Sequence, residues 1–308
     1  MTTTSLWPNI IRQIGYISLN VHDLSASLEH ATQVLGLREV ERRDGAIYLT
    51  CNQWHHALVL RAADTSGVSR LGFQATSYEA LEELHTRLDR EGVKILSTQP
   101  DQPGIGHSLR FVGPGGHCFE VYDTMEGGQP EYNSPGIRPR KLGHVTLKCE
   151  DMQEMHSFLE RVLGFRLSDS YAKGEFLWLR CNPFHHTIGL IHGRNQLHHY
   201  DWDVENWSDL ERLGDHLLAN KKAFIWGPGR HGPGNNLFTY HLDPAGVCVE
   251  YSADMFYVED ESTYQWREWP EVPTSLNQWG PPPPSDFLEL GTDLVPPHTE
   301  ELSRPSLA

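Results

Sequence analysis

Hydrophobic and polar positions follow two different periods along this chain, and the two periods replace each other several times. The segment from Ile14 to Asn20 alternates with a period of two, which predicts a strand. Asp23 then begins a helix, because its side chain is of the type that caps a first turn. The apolar positions of that helix are Leu24, Leu28, Ala31 and Leu35. Gly36 ends the helix, and short strands are predicted around 46–51 and 57–60.

The same order of elements recurs along the chain. A strand near 71–75, a helix capped by Ser77 and strands at 93–96, 108–112 and 118–122 complete the first half. After a polar stretch the pattern starts again, with a strand, a helix and three strands, followed by a strand, a helix and further strands. The apolar stripes of these two helices are Met152, Met155, Leu159 and Val162, and Trp207, Leu210, Leu213 and Leu217. Each half is therefore predicted to contain two β-α-β-β-β modules.

The repetition is also visible in the letters of the chain. The segment Cys51–His56 (CNQWHH) matches Cys181–His186 (CNPFHH), an offset of 130. Gly113–Glu120 matches Asp243–Glu250 at the same offset. Self-similarity at a fixed spacing indicates duplicated structural units. We therefore predict an α+β fold of two tandem homologous domains.

The limits of these domains follow from where the pattern stops. We predict an N-terminal domain over 10–125, a linker over 126–140, a C-terminal domain over 141–255 and a tail over 256–308. The tail is rich in aromatic and acidic residues and carries four consecutive prolines, Pro281 to Pro284. We expect part of it to form a lid or a subunit contact and its end to be disordered.

Composition narrows the possible partners and compartment. With 25 basic and 41 acidic residues the net charge is −16, which argues against binding to nucleic acid. The N-terminus has neither the charged nor the apolar region of a signal peptide, and no apolar run approaches the roughly 18 residues of a membrane helix. The five cysteines are predicted to be buried free thiols of a cytoplasmic protein, with no membrane partner.

One carboxylate in the last strand of the second domain requires an explanation. The segment Val247–Tyr251 is apolar except for Glu250, and a carboxylate among apolar neighbours is costly unless it is paired with a cation or a metal. His144 and His199 each lie on the first strand of a module of this domain. Two histidines and one carboxylate on a rigid sheet make the ligand set that holds non-haem Fe(II) with open positions.

The first domain lacks this set. In the alignment of the two halves by letters, Glu120 corresponds to Glu250, while Tyr16 and Phe73 correspond to His144 and His199. We therefore predict a metal in the second domain and a metal-free structural repeat in the first. A lone histidine on a strand is more often structural than a ligand. We give that interpretation to His55, His56, His107, His117, His185, His192, His198 and His241.

Together these motifs resemble the two-domain type I extradiol ring-cleaving dioxygenases of the vicinal oxygen chelate superfamily, which include the catechol 2,3-dioxygenases. The resemblance covers roughly residues 10–255. It rests on Gly143-His144-Val145, the Asn182-x-x-His-His186 segment, His199, Gly229-Arg230-His231, Tyr240 and Asp243-Pro-x-Gly…Glu250-Tyr251. It implies open, barrel-like sheets around the site and ring cleavage beside the vicinal diol of a catechol, with O₂ as co-substrate, in aromatic-compound catabolism. It also implies a homo-oligomer, with a tetramer favoured.

The resemblance assigns roles to single residues. His144, His199 and Glu250 would bind Fe(II), with Mn(II) as the alternative that the same ligands accept. His186 would be the acid–base residue, and His231 and Tyr240 would hydrogen-bond the catecholate. Within the pairs His185–His186 and His198–His199, the period of a strand directs one side chain inward. We select His199 from its register with Phe73 and His186 from the pattern of the family.

The substrate is predicted from the aromatic residues near this set. Trp178, Phe184 and Trp226 are expected to face the ring, with Tyr257 as part of a lid. The tail is also similar to that of homoprotocatechuate 2,3-dioxygenases, which hold a substrate carboxylate with arginines. Trp226 stands at one such position here. The nearby candidates are Arg230, which belongs to the loop motif itself, and Arg267. We therefore expect uncharged alkyl-, aryl- or hydroxy-substituted catechols to be preferred over catechol carboxylates.

Two other functions fit the same superfamily. A glyoxalase-like lyase or isomerase usually draws its ligands from both modules, with more than one carboxylate, and no second carboxylate stands at the positions of His144 and His199. A ligand-binding module without a metal has no need of a His-His-Glu set. Oxygen uptake with catechol discriminates among the three.

Overall fold

The first domain begins with a long strand that lies near the middle of its sheet. The structure, a computed structural model, describes residues 10–128 and 136–297. The first module contains β1 (Ile11–Val21), α1 (Leu24–Glu29), which continues into a π-helical turn over His30–Val34, β2 (Arg38–Arg43), β3 (Ala46–Thr50) and β4 (Leu58–Ala62). The second contains β5 (Gly67–Ala75), α2 (Tyr78–Arg90), β6 (Ile95–Ser97), β7 (Ser108–Val112) and β8 (Cys118–Tyr122). These strands form one open sheet in the order β2-β3-β4-β1-β5-β8-β7-β6.

The second domain repeats this arrangement. Its first module contains β9 (Lys141–Cys149), α3 (Met152–Arg161), β10 (Arg166–Tyr171), β11 (Phe176–Arg180) and β12 (Ile188–His192). Its second contains β13 (Gln196–Asp203), α4 (Trp207–Ala219), β14 (Trp226–Arg230), β15 (Leu237–Leu242) and β16 (Cys248–Ala253). The sheet order is β14-β15-β16-β13-β9-β12-β11-β10, with β17 (Arg267–Trp269) of the tail beyond β10, and the sheet is open as well. The modules meet where β13 lies between β16 and β9.

The tail joins the second sheet through two short strands, β17 (Arg267–Trp269) and β18 (Thr292–Asp293). It also contains the short helix α5 (Pro273–Leu276). β17 runs parallel to β10, and β18 pairs antiparallel with β13. The predicted disorder concerns the polar end that follows Pro284; within that end, residues 285–297 are described and contain β18, and residues 298–308 lie outside the described residues.

Side chains that cap helices confirm the predicted helix starts. Asp23 accepts from the backbone N–H of Ala26, and Ser77 accepts from that of Ala80. In the second domain Asp151 and Asn206 have the same role. Each cap supplies an acceptor for a backbone N–H that has no partner within the helix.

One strand of the first module is not predicted from the sequence. β2 has the sequence Arg-Glu-Val-Glu-Arg-Arg and lies at the edge of its sheet. An edge strand with little buried surface carries no apolar alternation, so the period of two does not reveal it. The predicted burial of the cysteines is confirmed, because all five are buried and free. No helix among the described residues is long and apolar enough to cross a membrane.

Candidate metal centre

Three adjacent strands in the middle of the second sheet bring together the predicted ligand set. His144 lies on β9, His199 on the neighbouring β13 and Glu250 on β16 beyond it. Glu250 Oε2 is 3.1 Å from the Nε2 atom of each histidine, and the two Nε2 atoms are 3.3 Å apart. All three residues are buried. Their ligand atoms form the one group of this kind among the described residues.

The donor set fits a divalent metal ion. Two ligand atoms bound at right angles with bonds of about 2.1 Å lie about 3.0 Å apart, close to the three separations observed. Without a metal, burial disfavours the charged form of His144, but Asp201 and Glu250 raise its pKa to about 10. Burial would raise the pKa of Glu250, but His144 and His199 hold it well below its usual value. A metal that binds here therefore displaces a proton from His144.

Each ligand has a buried neighbour behind it. Asp201 Oδ2 lies 3.2 Å from His144 Nδ1, an ion pair rather than an aligned hydrogen bond. Gly143 makes room for it, because a Cβ at that position would overlap the Asp201 carboxylate. Asn236 donates to Glu250 Oε1 over 3.2 Å. Contacts of this type orient metal ligands.

His199 is held by the histidine that precedes it. The two Nδ1 atoms of His198 and His199 are 2.6 Å apart, and His198 Nε2 lies 2.9 Å from the carbonyl oxygen of Phe287. Both rings are buried. For this pair the expectation that one side chain points inward is wrong, because both rings are buried and contact each other. The structural role of His198 stays a prediction, and its observed contacts are His199 and the Phe287 carbonyl oxygen.

The predicted catalytic residues share one cavity with the ligand set. The lining of this cavity includes His144, His186, His199, His231, Tyr240 and Glu250. The ring of His186 packs edge-on against that of His144, with centroids 4.4 Å apart. Burial lowers the pKa of His186 well below its usual value, so the ring is neutral at pH 7.

His231 and Tyr240 form a connected pair that also lines the cavity. Tyr240 donates from its hydroxyl to Glu250 Oε2 over 2.8 Å, and His231 Nε2 is 3.1 Å from the same hydroxyl. His231 Nδ1 lies 2.6 Å from the carbonyl oxygen of Leu276 in the tail. Burial and the charge of Glu250 raise the pKa of Tyr240 well above its usual value, so it remains a hydrogen-bond donor.

The predicted substrate-facing residues divide into two groups. Trp178 and Trp226 line the cavity. Phe184 lines a smaller neighbouring pocket, and Tyr257, which is half exposed, packs on Phe184. Arg267 lies in a third pocket with its guanidinium over Trp269. The rest of the main wall comes from residues outside the prediction, notably Phe176, Leu276, Pro283, Phe287 and Leu288.

Strand registers correct the predicted counterpart of His199. Asp201 is opposite Glu250 in β13 and β16, and Gly72 is opposite Glu120 in β5 and β8. His199 precedes Asp201 by two residues, so its counterpart is Arg70, at an offset of 129, and not Phe73. The pairing on the other side agrees, since His199 is opposite Thr146 and Arg70 is opposite Ser18. The alignment by sequence was wrong here because Leu71 and Leu197 are the same residue type but do not occupy equivalent positions in the two sheets.

Comparison with known proteins gives the same picture of two repeated units. The family model described as "Glyoxalase/Bleomycin resistance protein/Dioxygenase superfamily" matches residues 13–121 and again 141–251. A relative named manganese-dependent 2,3-dihydroxybiphenyl 1,2-dioxygenase, from Geobacillus genomosp. 3, is 28% identical, covering 88% of this chain and 94% of its own. One named iron-dependent extradiol dioxygenase, from Rhodococcus jostii (strain RHA1), is 28% identical over 88% of this chain and 96% of its own.

A solved structure extends the likeness to three dimensions. The crystal structure of a Mn(II)-bound glyoxalase from Novosphingobium aromaticivorans superposes with a TM-score of 0.84. The two chains are 28% identical, and the match covers 94% of this chain and 96% of that one. The likeness therefore spans both domains and much of the tail.

Proposed function

This chain belongs to the Glyoxalase/Bleomycin resistance protein/Dioxygenase superfamily, and we propose that it is an extradiol ring-cleaving dioxygenase that acts on catechols. The observation that carries the proposal is the convergence of His144, His199 and Glu250 at one cavity with His186, His231 and Tyr240. The first three residues form a facial ligand set. The other three place hydrogen-bonding groups around the space where a bound diol would lie.

The metal that we propose is Fe(II) or Mn(II), held by His144, His199 and Glu250. When bound, it supplies open coordination positions at which a catechol and O₂ are brought together and electron density passes between them. Relatives named for manganese and for iron dependence both occur among the similar proteins. The hard nitrogen and oxygen ligands accept either ion.

The remaining residues have roles that follow from their contacts. His186 is neutral and lines the cavity, so it is suited to accept a proton from a catechol hydroxyl and return it later in the reaction. Tyr240 and His231 line the same cavity and would hydrogen-bond the diol oxygens of a bound catechol. The walls of this cavity are mostly apolar, and displacement of water by a bound substrate would strengthen these interactions.

A glyoxalase-like lyase or isomerase is the second candidate, and the Mn(II)-bound glyoxalase structure favours its consideration. Among the described residues that line the main cavity, Glu250 is the sole carboxylate. Asp201 reaches His144 on the Nδ1 side and does not line that cavity. The ligand set therefore supports ring cleavage better.

The residues that line the cavity support the proposal that the preferred catechol carries a neutral substituent. The described lining of the cavity contains no lysine or arginine, while Trp178, Trp226 and Phe287 supply aromatic walls. A substrate carboxylate would lose water here without gaining a cation. We propose a preference for alkyl-, aryl- or hydroxy-substituted catechols over catechol carboxylates by at least about tenfold in kcat/KM, about 1.4 kcal/mol.

The compartment and assembly complete the proposal. Five buried free thiols support a reducing cytoplasm. A homo-oligomer, with a tetramer favoured, is proposed on the resemblance to extradiol dioxygenases. Light scattering of the purified protein measures the assembly.

The deciding experiment loads the protein with Fe(II) or Mn(II) and follows oxygen uptake with a panel of catechols. We expect uptake of O₂ together with a yellow ring-fission product. Values of kcat/KM for 3- and 4-methylcatechol beside homoprotocatechuate test the substrate preference. A clear advantage for the carboxylate would contradict that preference and indicate Arg267 as its partner.

A further inference from the structure

Three pairs of adjacent histidines have the same geometry. The two Nδ1 atoms are 3.0 Å apart in His55–His56, 3.0 Å in His185–His186 and 2.6 Å in His198–His199. In each pair the Nε2 atom of the first histidine contacts an acceptor. These acceptors are Glu41 Oε2 at 3.2 Å, Asp169 Oδ2 at 3.1 Å and the Phe287 carbonyl oxygen at 2.9 Å. Each pair is thus a chain of acceptor, first histidine and second histidine.

This geometry fixes where the protons are in the His185–His186 pair. The Asp169 carboxylate accepts, so His185 Nε2 must carry a hydrogen. The Nδ1 atom of neutral His185 is then an acceptor, and the hydrogen between the two rings belongs to His186 Nδ1. Neutral His186 is left with a free lone pair on Nε2, the nitrogen on the opposite side of its ring. His186 lines the main cavity.

The tail holds the carboxylate at the start of this chain. Trp269 donates from Nε1 to Asp169 Oδ2 over 2.7 Å, and the backbone N–H of Arg267 donates to Oδ1 over 3.0 Å. The Asp169 side chain is only 5% exposed, whereas that of Glu41, at the same place in the first domain, is 37% exposed. The second domain therefore holds its acceptor in place more firmly.

We propose that Asp169 and His185 are positioning residues that hold His186 as its Nδ1–H tautomer, with Nε2 ready to accept a catechol proton. Strand β17 of the tail serves this reaction by anchoring Asp169. In the other tautomer His186 would present an N–H to the substrate hydroxyl and could not take its proton. The inference deepens the proposed function, because it rests on His186 as the acid–base residue.

The first test replaces the positioning histidine and its counterpart in the other domain. His185→Phe removes the acceptor for His186 Nδ1, and His55→Phe makes the same change in the domain without the ligand set. We expect His185→Phe to lower kcat by about 10- to 100-fold. This fall should not exceed the fall in kcat caused by removing the acid–base residue His186 itself. Metal content should be unchanged, and KM should stay within about twofold. His55→Phe should alter none of these.

A second measurement reads the tautomer directly and needs no turnover. Nitrogen-15 NMR of histidine-labelled, metal-free protein, with His186 assigned from a His186→Phe variant, distinguishes protonated from unprotonated ring nitrogens. We expect the hydrogen of His186 on Nδ1 in the unaltered protein and a mixture of tautomers in His185→Phe. The milder change Asp169→Asn, with Glu41→Gln as its control, should shift the mixture in the same direction and covers the case in which His185→Phe does not fold.

Each outcome decides the inference. An unchanged His186 tautomer in His185→Phe and Asp169→Asn, or a hydrogen on Nε2 in the unaltered protein, overturns it. So does an equal fall in kcat for His185→Phe and His55→Phe, since the effect would then belong to the fold. If the metal-loaded protein turns over no catechol, the proposed function fails, while the NMR measurement still decides how His186 is held.

Discussion

The two domains solve the same electrostatic problem in different ways. Each buries a glutamate at the same place in its sheet, Glu120 in the first and Glu250 in the second. In the second domain two histidines complete a ligand set for a metal ion. In the first, Arg70 stands at the position of His199, and its guanidinium lies 3.2 Å from Glu120. A buried carboxylate requires a positive charge, and the chain supplies either a metal site or an arginine.

The residues around each glutamate are adjusted to its cation. In the first domain Tyr16 donates to Glu120, and Gly72 leaves space for the Tyr16 ring, which a Cβ there would overlap. The counterpart of Gly72 is Asp201, which contacts His144 in the second domain. Arg70 is also paired with Asp101 through two hydrogen bonds. A change from a metal site to a structural ion pair thus involves several positions at once.

The largest effect is expected when the metal-binding side of this comparison is broken. His199→Ala should reduce metal binding from one equivalent per chain to near zero and lower kcat/KM by at least about 10³-fold, because a metal ion contributes several kcal/mol to such reactions. Metal analysis by mass spectrometry and oxygen uptake measure both quantities. Tyr16→Phe is the control and should keep one equivalent. Two equivalents in the unaltered protein would contradict the assignment of the metal to one domain.

Removal of the arginine tests the other side. Arg70→Met leaves Glu120 buried without its cation, which should lower the free energy of unfolding by about 3–5 kcal/mol. Urea unfolding of the metal-free protein measures it. The double change Arg70→Met/Glu120→Gln removes both charges and should recover part of the loss. If Glu120→Gln lowered the free energy of unfolding as much in the Arg70→Met background as it does alone, the two side chains would not act as a pair.

The last histidine of each matching segment, His56 or His186, provides a smaller contrast. His186→Phe should retain the metal and bind catechol, while turnover falls by about 10²-fold or more, as for loss of a general acid–base group. His56→Phe, its counterpart in the first domain, should leave the turnover of the folded enzyme unchanged. Stopped-flow measurement of catechol binding separates binding from turnover. Loss of metal in His186→Phe would instead make His186 a ligand.

The smallest expected effect concerns the carboxylate behind His144. Asp201→Asn should weaken metal affinity by about 10- to 100-fold, because loss of such a supporting contact typically has this cost. Competition with a chelator of known affinity measures the change. Asp203→Asn is the matched control, since Asp203 lies two residues further on β13 and pairs with Arg140. Equal losses in both variants would show that any charge on this strand matters, and not the contact with His144.

The amino-acid sequence was enough to predict the repeated modules, the caps Asp23 and Ser77, and the ligand set that the geometry brings together. These features are local or periodic: a cap is read within four residues, a module by its change of period, and Glu250 by its apolar neighbours. The match of the two halves then located His144, because Gly143 repeats Gly15 and the positions around this pair are apolar in both halves. The roles of His186, His231 and Tyr240 remain predictions that their shared cavity supports.

Tertiary structure alone decided the contacts that join distant parts of the chain. Arg70 replaced Phe73 as the counterpart of His199 because hydrogen-bond register, interrupted by irregularities in both strand pairs, sets equivalence, and similar letters do not. Asp169, some 100 residues from Trp269 in the chain, became the anchor of His185 only through the pairing of β10 with β17. Phe287 and Leu288 of the tail likewise form part of the cavity wall, which the sequence did not predict. Such contacts depend on which surfaces pack together, and no local pattern of residues encodes that choice.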